Sequence, residues 1–324
     1  MTSATGHPRP ADPGPADADA AGERIPVRQP QAVVRHLTGA LTDRVASPAA
    51  EARTLVAAAA EVPVGRLITA PDLTESQLDV LAGWLRRRLA GEPLQHLTGR
   101  AAFRHLDLRI GPGAFVPRPE TEVMVGWCLD RVRALPVREE PFVLVDLCTG
   151  SGAIAAALAD ELTGVHADPV LPVQIHAVEL SAEALAWAER NLTGTGVHLH
   201  AGDLRDALPE LDGRCDLVVC NPPYIPLEAW ESVPAEVRDH DPDLALFSGP
   251  DGLDAWRVLA HTAHRLLKPG GLLAGEHADL QGEAVPRLLL DHGGWGSVRD
   301  HLDLTGRARF TTATKLGEDE PREI

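Results

Sequence analysis

The chain has 324 residues, 44% of them apolar, and a formal net charge of −17. At roughly 100–200 residues per domain, this length suggests one large domain plus a smaller one, with enough apolar material for a globular core. No window approaches the roughly 18 uncharged apolar residues of a membrane span, and the acidic balance is the wrong sign for gripping a phosphate backbone through counterion release.

Residues 1–28 begin MTSATGHPRPADPGPADADAAGER. They are rich in Ala, Pro, Gly and Asp, lack the apolar stretch of a secretory signal, and read as a disordered tail. Residues 29–95 read as a small helical domain. The stretches 31–45, 48–61 and 74–90 repeat apolar residues at helical spacing, with Ser47 and Thr74 placed as N-caps. Arg86, Arg87 and Arg88 read as a solvated helix face. Gly91-Glu92-Pro93 breaks the pattern. Residues 96–118 form a linker in which 101–118 alternate around Gly111-Pro112-Gly113, the mark of a short hairpin. Pro119 opens the next helix, with Glu120 and Glu122 in the first turn, where the helix dipole favours acids.

From residue 141 the pattern changes, within a domain taken as 119–316. Strand-like runs at 142–147, 173–178, 197–200, 215–220 and 271–276 alternate with helical runs at 152–162, 181–192 and 252–267. Such alternation predicts a parallel, doubly wound α/β sheet. Two late runs, 296–303 and 307–315, are expected to add edge strands, and 317–324 reads as a solvated tail. The cysteines, Cys128, Cys148, Cys215 and Cys220, form no CxxC pair, and two fall on one strand. This suits a reduced cytoplasm better than a disulfide framework. His198 and His200 share one side of a strand without an evident third ligand, so a metal site is not expected. Nothing demands more than a monomer.

Asp146-Leu147-Cys148-Thr149-Gly150-Ser151-Gly152 leaves the first strand of this domain and enters a helix. Gly150 and Gly152 permit a tight turn and close approach of a ligand, and free N–H groups at the helix start can receive its polar atoms. Packing alone also calls for glycine in a strand–helix turn. For a ligand, the same residues satisfy the dinucleotide pattern G-x-G-x-x-A, so the turn by itself leaves NAD and S-adenosylmethionine (SAM) both open. Glu179, ending the next strand, can accept two ribose hydroxyls. Asp203, ending the third, can accept from an adenine amino group or cap its own turn.

Cys220-Asn221-Pro222-Pro223-Tyr224 ends the fourth strand at the ligand side of the sheet. The prolines alone explain why the strand stops. They do not explain an Asn and the chain's only Tyr arriving there together. The Asn221 side-chain oxygen and the Pro222 carbonyl, stiffened by the diproline, can hold both hydrogens of a planar NH2 group. Tyr224 can pack on its face. An amide or arylamine nitrogen is a poor nucleophile, and fixing it near an electrophilic methyl supplies proximity. The two acceptors favour the positive charge that grows on nitrogen.

With these residues assembled, the sequence resembles the HemK/PrmC family, protein-(glutamine-N5) methyltransferases acting on peptide chain release factors. The resemblance covers about residues 30–316 and rests on Glu92-Pro-Leu-Gln-His-Leu-Thr-Gly99, Phe103, Val116-Pro-Arg-Pro-Glu-Thr-Glu122, Asp146–Gly152, Asn221–Pro226 and Asp241–Gly252. It implies a class I SAM-dependent methyltransferase domain, Rossmann-like and doubly wound, behind a helical substrate-recognition domain and hairpin linker. Asp146, Cys148, Thr149, Gly150, Ser151 and Gly152 would hold the methionine part of SAM, Glu179 the ribose, and Asp203 with Leu204 the adenine region. Asn221, Pro222, Pro223 and Tyr224 would hold the glutamine of the Gly-Gly-Gln loop, with Asn221 beside the cofactor as well. Phe103 and Arg118 would lie over the pocket, where the residues alone allow packing or an ion pair. Cys148 stands where the family often has Gly, so contact there is expected through the backbone. Leu204 stands where the family often has an aromatic. A SAM enzyme for a nucleic-acid base or small metabolite, and an NAD(P)-dependent oxidoreductase, remain the alternatives; the acidic balance speaks against nucleic acid.

Overall fold

Apolar residues at every third and fourth position build the first unit. Val33, Leu37 and Leu41 lie on one face of α1 (Pro30–Leu41), and Ala52, Leu55, Val56 and Ala59 on α2 (Pro48–Ala59). These pack with Leu78 and Leu81 of α3 (Glu75–Leu89) and Leu97 of α4 (Leu94–Thr98). The computed structural model describes residues 24–135, 140–167 and 172–317, which divide into two units between Thr98 and Gly99. Residues 1–23 and 318–324, read as parts of the tails, lie outside the described residues.

Three expectations for the first unit need correction. The disordered tail does not reach residue 28: Ile25 is buried in the helical core, and the Arg28 carbonyl accepts from Leu73 N–H at 2.9 Å. Arg88 is not on a solvated face. It is buried and makes a bidentate pair with Glu51, at 2.6 and 3.1 Å. Thr74 caps α3 through a complete capping box with Gln77, whereas Ser47 stands at the N-cap of α2 without a side-chain hydrogen bond. A capping box needs its partner three residues on, and Glu51 lies four on.

The second unit opens with a hairpin, β1 (Arg100–Phe103) against β2 (Leu106–Arg109), shorter than the 101–118 read from sequence. Then come α5 (Thr121–Arg133), β3 (Phe142–Leu147), α6 (Ala153–Leu162), β4 (Val173–Glu179), α7 (Ala182–Leu192), β5 (His198–Ala201) and β6 (Cys215–Cys220). After β6 the chain forms short helices α8 (Ala235–His240) and α9 (Asp243–Leu246), neither read from sequence. It continues as α10 (Asp254–Leu266), β7 (Leu267–Glu276), α11 (Ala284–His292), β8 (Trp295–Leu302) and β9 (Ala308–Lys315).

The main sheet has strand order β5-β4-β3-β6-β7-β9-β8. Strands β3 to β7 run parallel, as expected. β9 pairs antiparallel with β7 on one side and β8 on the other, so of the two late strands β9 is interior and only β8 is an edge. Side chains alternate across the sheet with period two. Leu144, Leu217 and Val219 join the core beneath α5, α6 and α7. Val145, Val218 and Cys220 join the opposite core beneath α10 and α11. Strands buried on both faces read as continuous apolar runs, which is why FVLVDL and CDLVVC were legible.

Chain order reverses at β3. β4 and β5 fill one side, then β6 starts on the other. Ligands of open α/β sheets sit outside the carboxyl ends of the strands at such a switch point. Here that point lies between the glycine turn after β3 and the Asn-Pro-Pro-Tyr segment after β6.

Candidate active site

The turn after β3 is built from left-handed residues. Cys148 has φ 56°, Gly150 φ 58° and Gly152 φ 84°. A Cβ on Gly152 would meet the Leu192 side chain at 3.1 Å, while one on Gly150 meets nothing within 4 Å. Gly152 is therefore needed where α6 and α7 pack, and Gly150 for its backbone angle. Asp146 Oδ2 accepts from the Thr149 hydroxyl at 2.5 Å and from Ala155 N–H at 3.1 Å, tying the turn to the first turn of α6. Asp146 is fully buried, and burial pushes its carboxyl up to about 7 against both hydrogen bonds.

Glu179, buried at the end of β4, reaches across to this turn. Its Oε2 accepts from Gly150 N–H at 2.8 Å and its Oε1 from Ser181 N–H at 2.7 Å. A carboxylate offers about four lone-pair sites, so each oxygen keeps one for a hydroxyl. Asp203 accepts from the backbone and guanidinium of Arg205, both at 2.9 Å. Leu204 packs against the second core.

The segment after β6 is pinned by its backbone. The Tyr224 carbonyl accepts from Gln281 Nε2 at 3.0 Å. Ile225 N–H donates to Leu246 O at 2.8 Å, and Leu227 N–H to Gly249 O at 2.9 Å. Asn221, by contrast, makes no hydrogen bond with its carboxamide among the described residues, and the Pro222 carbonyl accepts none.

One cavity of about 840 Å³ within this unit gathers most of these groups. Cys148, Thr149, Gly150, Ser151, Glu179, Asp203, Leu204, Asn221, Pro223 and Tyr224 line it, as do Phe103 and Arg118. Asp146, Gly152 and Pro222 are not among its lining residues. Asp146 is buried and braces the turn, and Pro222 is buried too. Phe103 belongs to the core, while Arg118 pairs with buried Asp241 at 2.9 Å.

Several further residues line or support this cavity without having been singled out as site residues above. Glu276, at the end of β7, lines the cavity with Thr121 and Arg309. Glu276 is 1% exposed, and burial pushes its carboxyl up to about 7. Gln281 and Gly252 support Tyr224 from behind. Only the strand end at Glu276 was visible in the sequence, since β9, which carries Arg309, reaches the site through antiparallel pairing. Elsewhere, His176 stacks with His198 and His200, but no described group of three His, Cys, Asp or Glu is placed to hold a metal. No described helix is long and apolar enough to cross a membrane.

A switch-point cavity with a glycine turn, a buried carboxylate at the end of the next strand and an Asn-Pro-Pro-Tyr segment defines a class I SAM-dependent methyltransferase. The methyltransferase domain family matches residues 144–240, and the PrmC N-terminal domain family matches residues 32–99. The release factor glutamine methyltransferase of Streptomyces coelicolor is 53% identical over 287 residues, 88% of this chain and 97% of that protein. A 4-amino-L-phenylalanine/4-methylamino-L-phenylalanine methyltransferase of Streptomyces pristinaespiralis is 43% identical over 213 residues, 65% of this chain and 70% of that protein. Among solved structures, the hMettl16 catalytic domain in complex with MAT2A 3'UTR hairpin 6 has a TM-score of 0.52 at 16% identity. It covers 76% of this chain and 84% of that one, a likeness of fold alone. The chain belongs to the release factor glutamine methyltransferase family.

Proposed function

We propose that this protein transfers a methyl group from SAM to the side-chain amide nitrogen of the glutamine in the Gly-Gly-Gln loop of peptide chain release factors. The observation that carries this reading is the Asn221 carboxamide, without a hydrogen-bond partner among the described residues, beside Tyr224 in the cavity that the glycine turn also lines. The residues present fit the cofactor: an open approach at Gly150, a buried carboxylate at Glu179 with lone pairs to spare, and an apolar flank at Leu204. Thr149, Gly150 and Ser151, with the Cys148 backbone, would hold the methionine end, Glu179 the ribose, and Asp203 and Leu204 the adenine. When bound, SAM supplies an electrophilic methyl group on sulfur.

The chain's own residues handle the acceptor. Asn221 Oδ1 takes one amide hydrogen; the Pro222 carbonyl, buried and outside the cavity lining, takes the other once the seated acceptor uncovers it, which fixes the nitrogen and its lone-pair direction. Their dipoles face the positive charge that develops on nitrogen and need no reorganisation during the step. Tyr224 covers the planar face of the amide, and the amide proton leaves to solvent.

The Streptomyces pristinaespiralis relative supports a second reading, an arylamine acceptor in the same grip. The match to the PrmC N-terminal domain favours the protein substrate. Incubation with labelled SAM and either purified release factor, 4-amino-L-phenylalanine or ribosomal RNA separates the readings. Label is expected on the release-factor glutamine. Label confined to either other acceptor would overturn the proposal. Asn221→Ala is expected to lower kcat by about 10²-fold, as for loss of one preorganised polar group, while SAM binding is mostly kept. A wild-type rate in that variant would remove Asn221 from the mechanism.

A further inference from the structure

Glu276 is a buried carboxyl that the proposed chemistry leaves without a task. Its backbone is rigid: Glu276 pairs with Phe310 in β9, its carbonyl accepts from Trp256 Nε1 at 3.0 Å, and His277 N–H donates to Arg309 O at 2.9 Å. The carboxyl borders the cavity all the same. Oε1 accepts from the Tyr224 hydroxyl at 3.4 Å. Oε2 and the Thr121 hydroxyl make no hydrogen bond of ordinary length among the described residues, although that hydroxyl and the Arg309 guanidinium both favour the ionised carboxyl against the effect of burial. A buried carboxyl held only by such long contacts costs free energy that an apolar side chain would avoid. Simple core filling therefore does not account for an acid at this position.

The other end of Tyr224 is fixed as well. Gln281 Nε2 donates to both the Tyr224 and Gly252 carbonyls, at 3.0 and 3.3 Å. Gly252 has φ 76°, and any Cβ there would run into the Tyr224 carbonyl. The tyrosine backbone is thus clamped, and Glu276 supplies the only side-chain partner of its hydroxyl among the described residues. Two χ angles separate these anchor points, so holding both ends sets the plane of the ring.

We infer that Glu276 is a positioning residue for methyl transfer, holding the Tyr224 hydroxyl so that the ring lies against the acceptor amide gripped by Asn221. This rests on the function proposed above. The 3.4 Å separation is long for an O–H···O bond, as catalytic hydrogen bonds often are before substrate tightens the site.

The test is a double-mutant cycle on the full-length protein, with kcat and KM measured for methylation of purified release factor. Glu276→Leu and Tyr224→Phe should each lower kcat by about tenfold, and the double variant should be no worse than either single, because both remove one interaction. Glu276→Gln keeps an acceptor oxygen and should stay within a few-fold of wild type. SAM affinity, followed by calorimetry, should be the same in all four variants. Losses that multiply in the double variant, or a wild-type kcat in Glu276→Leu, overturn the inference. Should Glu276→Leu not fold, Glu276→Gln decides: a loss as deep as that of Tyr224→Phe also overturns it. If wild type methylates 4-amino-L-phenylalanine instead of the release factor, the functional reading fails, and the same cycle run on that acceptor still decides the role of Glu276.

Discussion

At residue scale the site depends on backbone angles that most side chains resist. Cys148 takes φ 56° with a Cβ present, a conformation that costs an L residue roughly 1–2 kcal/mol. The turn over-determines it, because Asp146 and Glu179 both hold the residues that follow. Gly252 presents the opposite case, a position where no Cβ fits. Gly252→Ala would add left-handed strain to a collision with the Tyr224 carbonyl. The expected cost is about 1–3 kcal/mol of stability. Because the clash falls on the segment carrying Tyr224, kcat should drop more than SAM affinity does. Thermal unfolding together with kinetics checks this, and a variant with unchanged Tm and rate would show that the loop yields freely.

At the scale of elements, local sequence chemistry sorts real caps from apparent ones. Thr74 and Gln77 satisfy each other's backbone donors at the start of α3. Thr74→Ala should therefore cost about 1 kcal/mol in denaturant unfolding, while Ser47→Ala at α2, with no cap bond to lose, should cost a few tenths at most. Equal losses would mean that Ser47 caps in solution. The same locality explains what the sequence made legible. The glycine turn and the Asn-Pro-Pro-Tyr segment are contiguous, and each follows an apolar strand, so both could be placed at the ligand end of the sheet. The brace that Asp146 forms to the N–H of Ala155 could not be read from the sequence, because it depends on how the turn folds back on α6. Thr121, Arg309 and the Glu276–Gln281 stretch come from parts of the chain far apart in sequence. β9 inserts antiparallel between β7 and β8, a topology that no periodicity in residues 307–315 announces. α8 and α9 are too short for helical spacing to show.

For the whole molecule, two of the buried carboxyls at the carboxyl ends of the strands are shifted by burial: Asp146 behind the glycine turn and Glu276 on the cavity. Burial pushes each up to about 7, from ordinary values of 3.8 and 4.5. The folded chain therefore binds more protons at these groups than the unfolded chain between roughly pH 4 and pH 7. Their contribution to stability is fully present below the unfolded values and is lost as pH rises toward 7. The slope is at most about 1.4 kcal/mol per pH unit for each group. His176 works the other way, since burial lowers it to about 4 and the folded state prefers it neutral. The wild-type profile is a sum of opposing slopes, so a difference between proteins is the clean measurement. Asp146→Asn keeps an acceptor for Thr149 and Ala155 and removes the titration. Unfolding by urea at about pH 5, 6 and 7 should show this variant gaining on wild type as pH rises, by on the order of 1 kcal/mol per unit. A difference that stays flat across that range would mean that Asp146 is ionised in the folded protein throughout, and that the brace behind the glycine turn carries a charge.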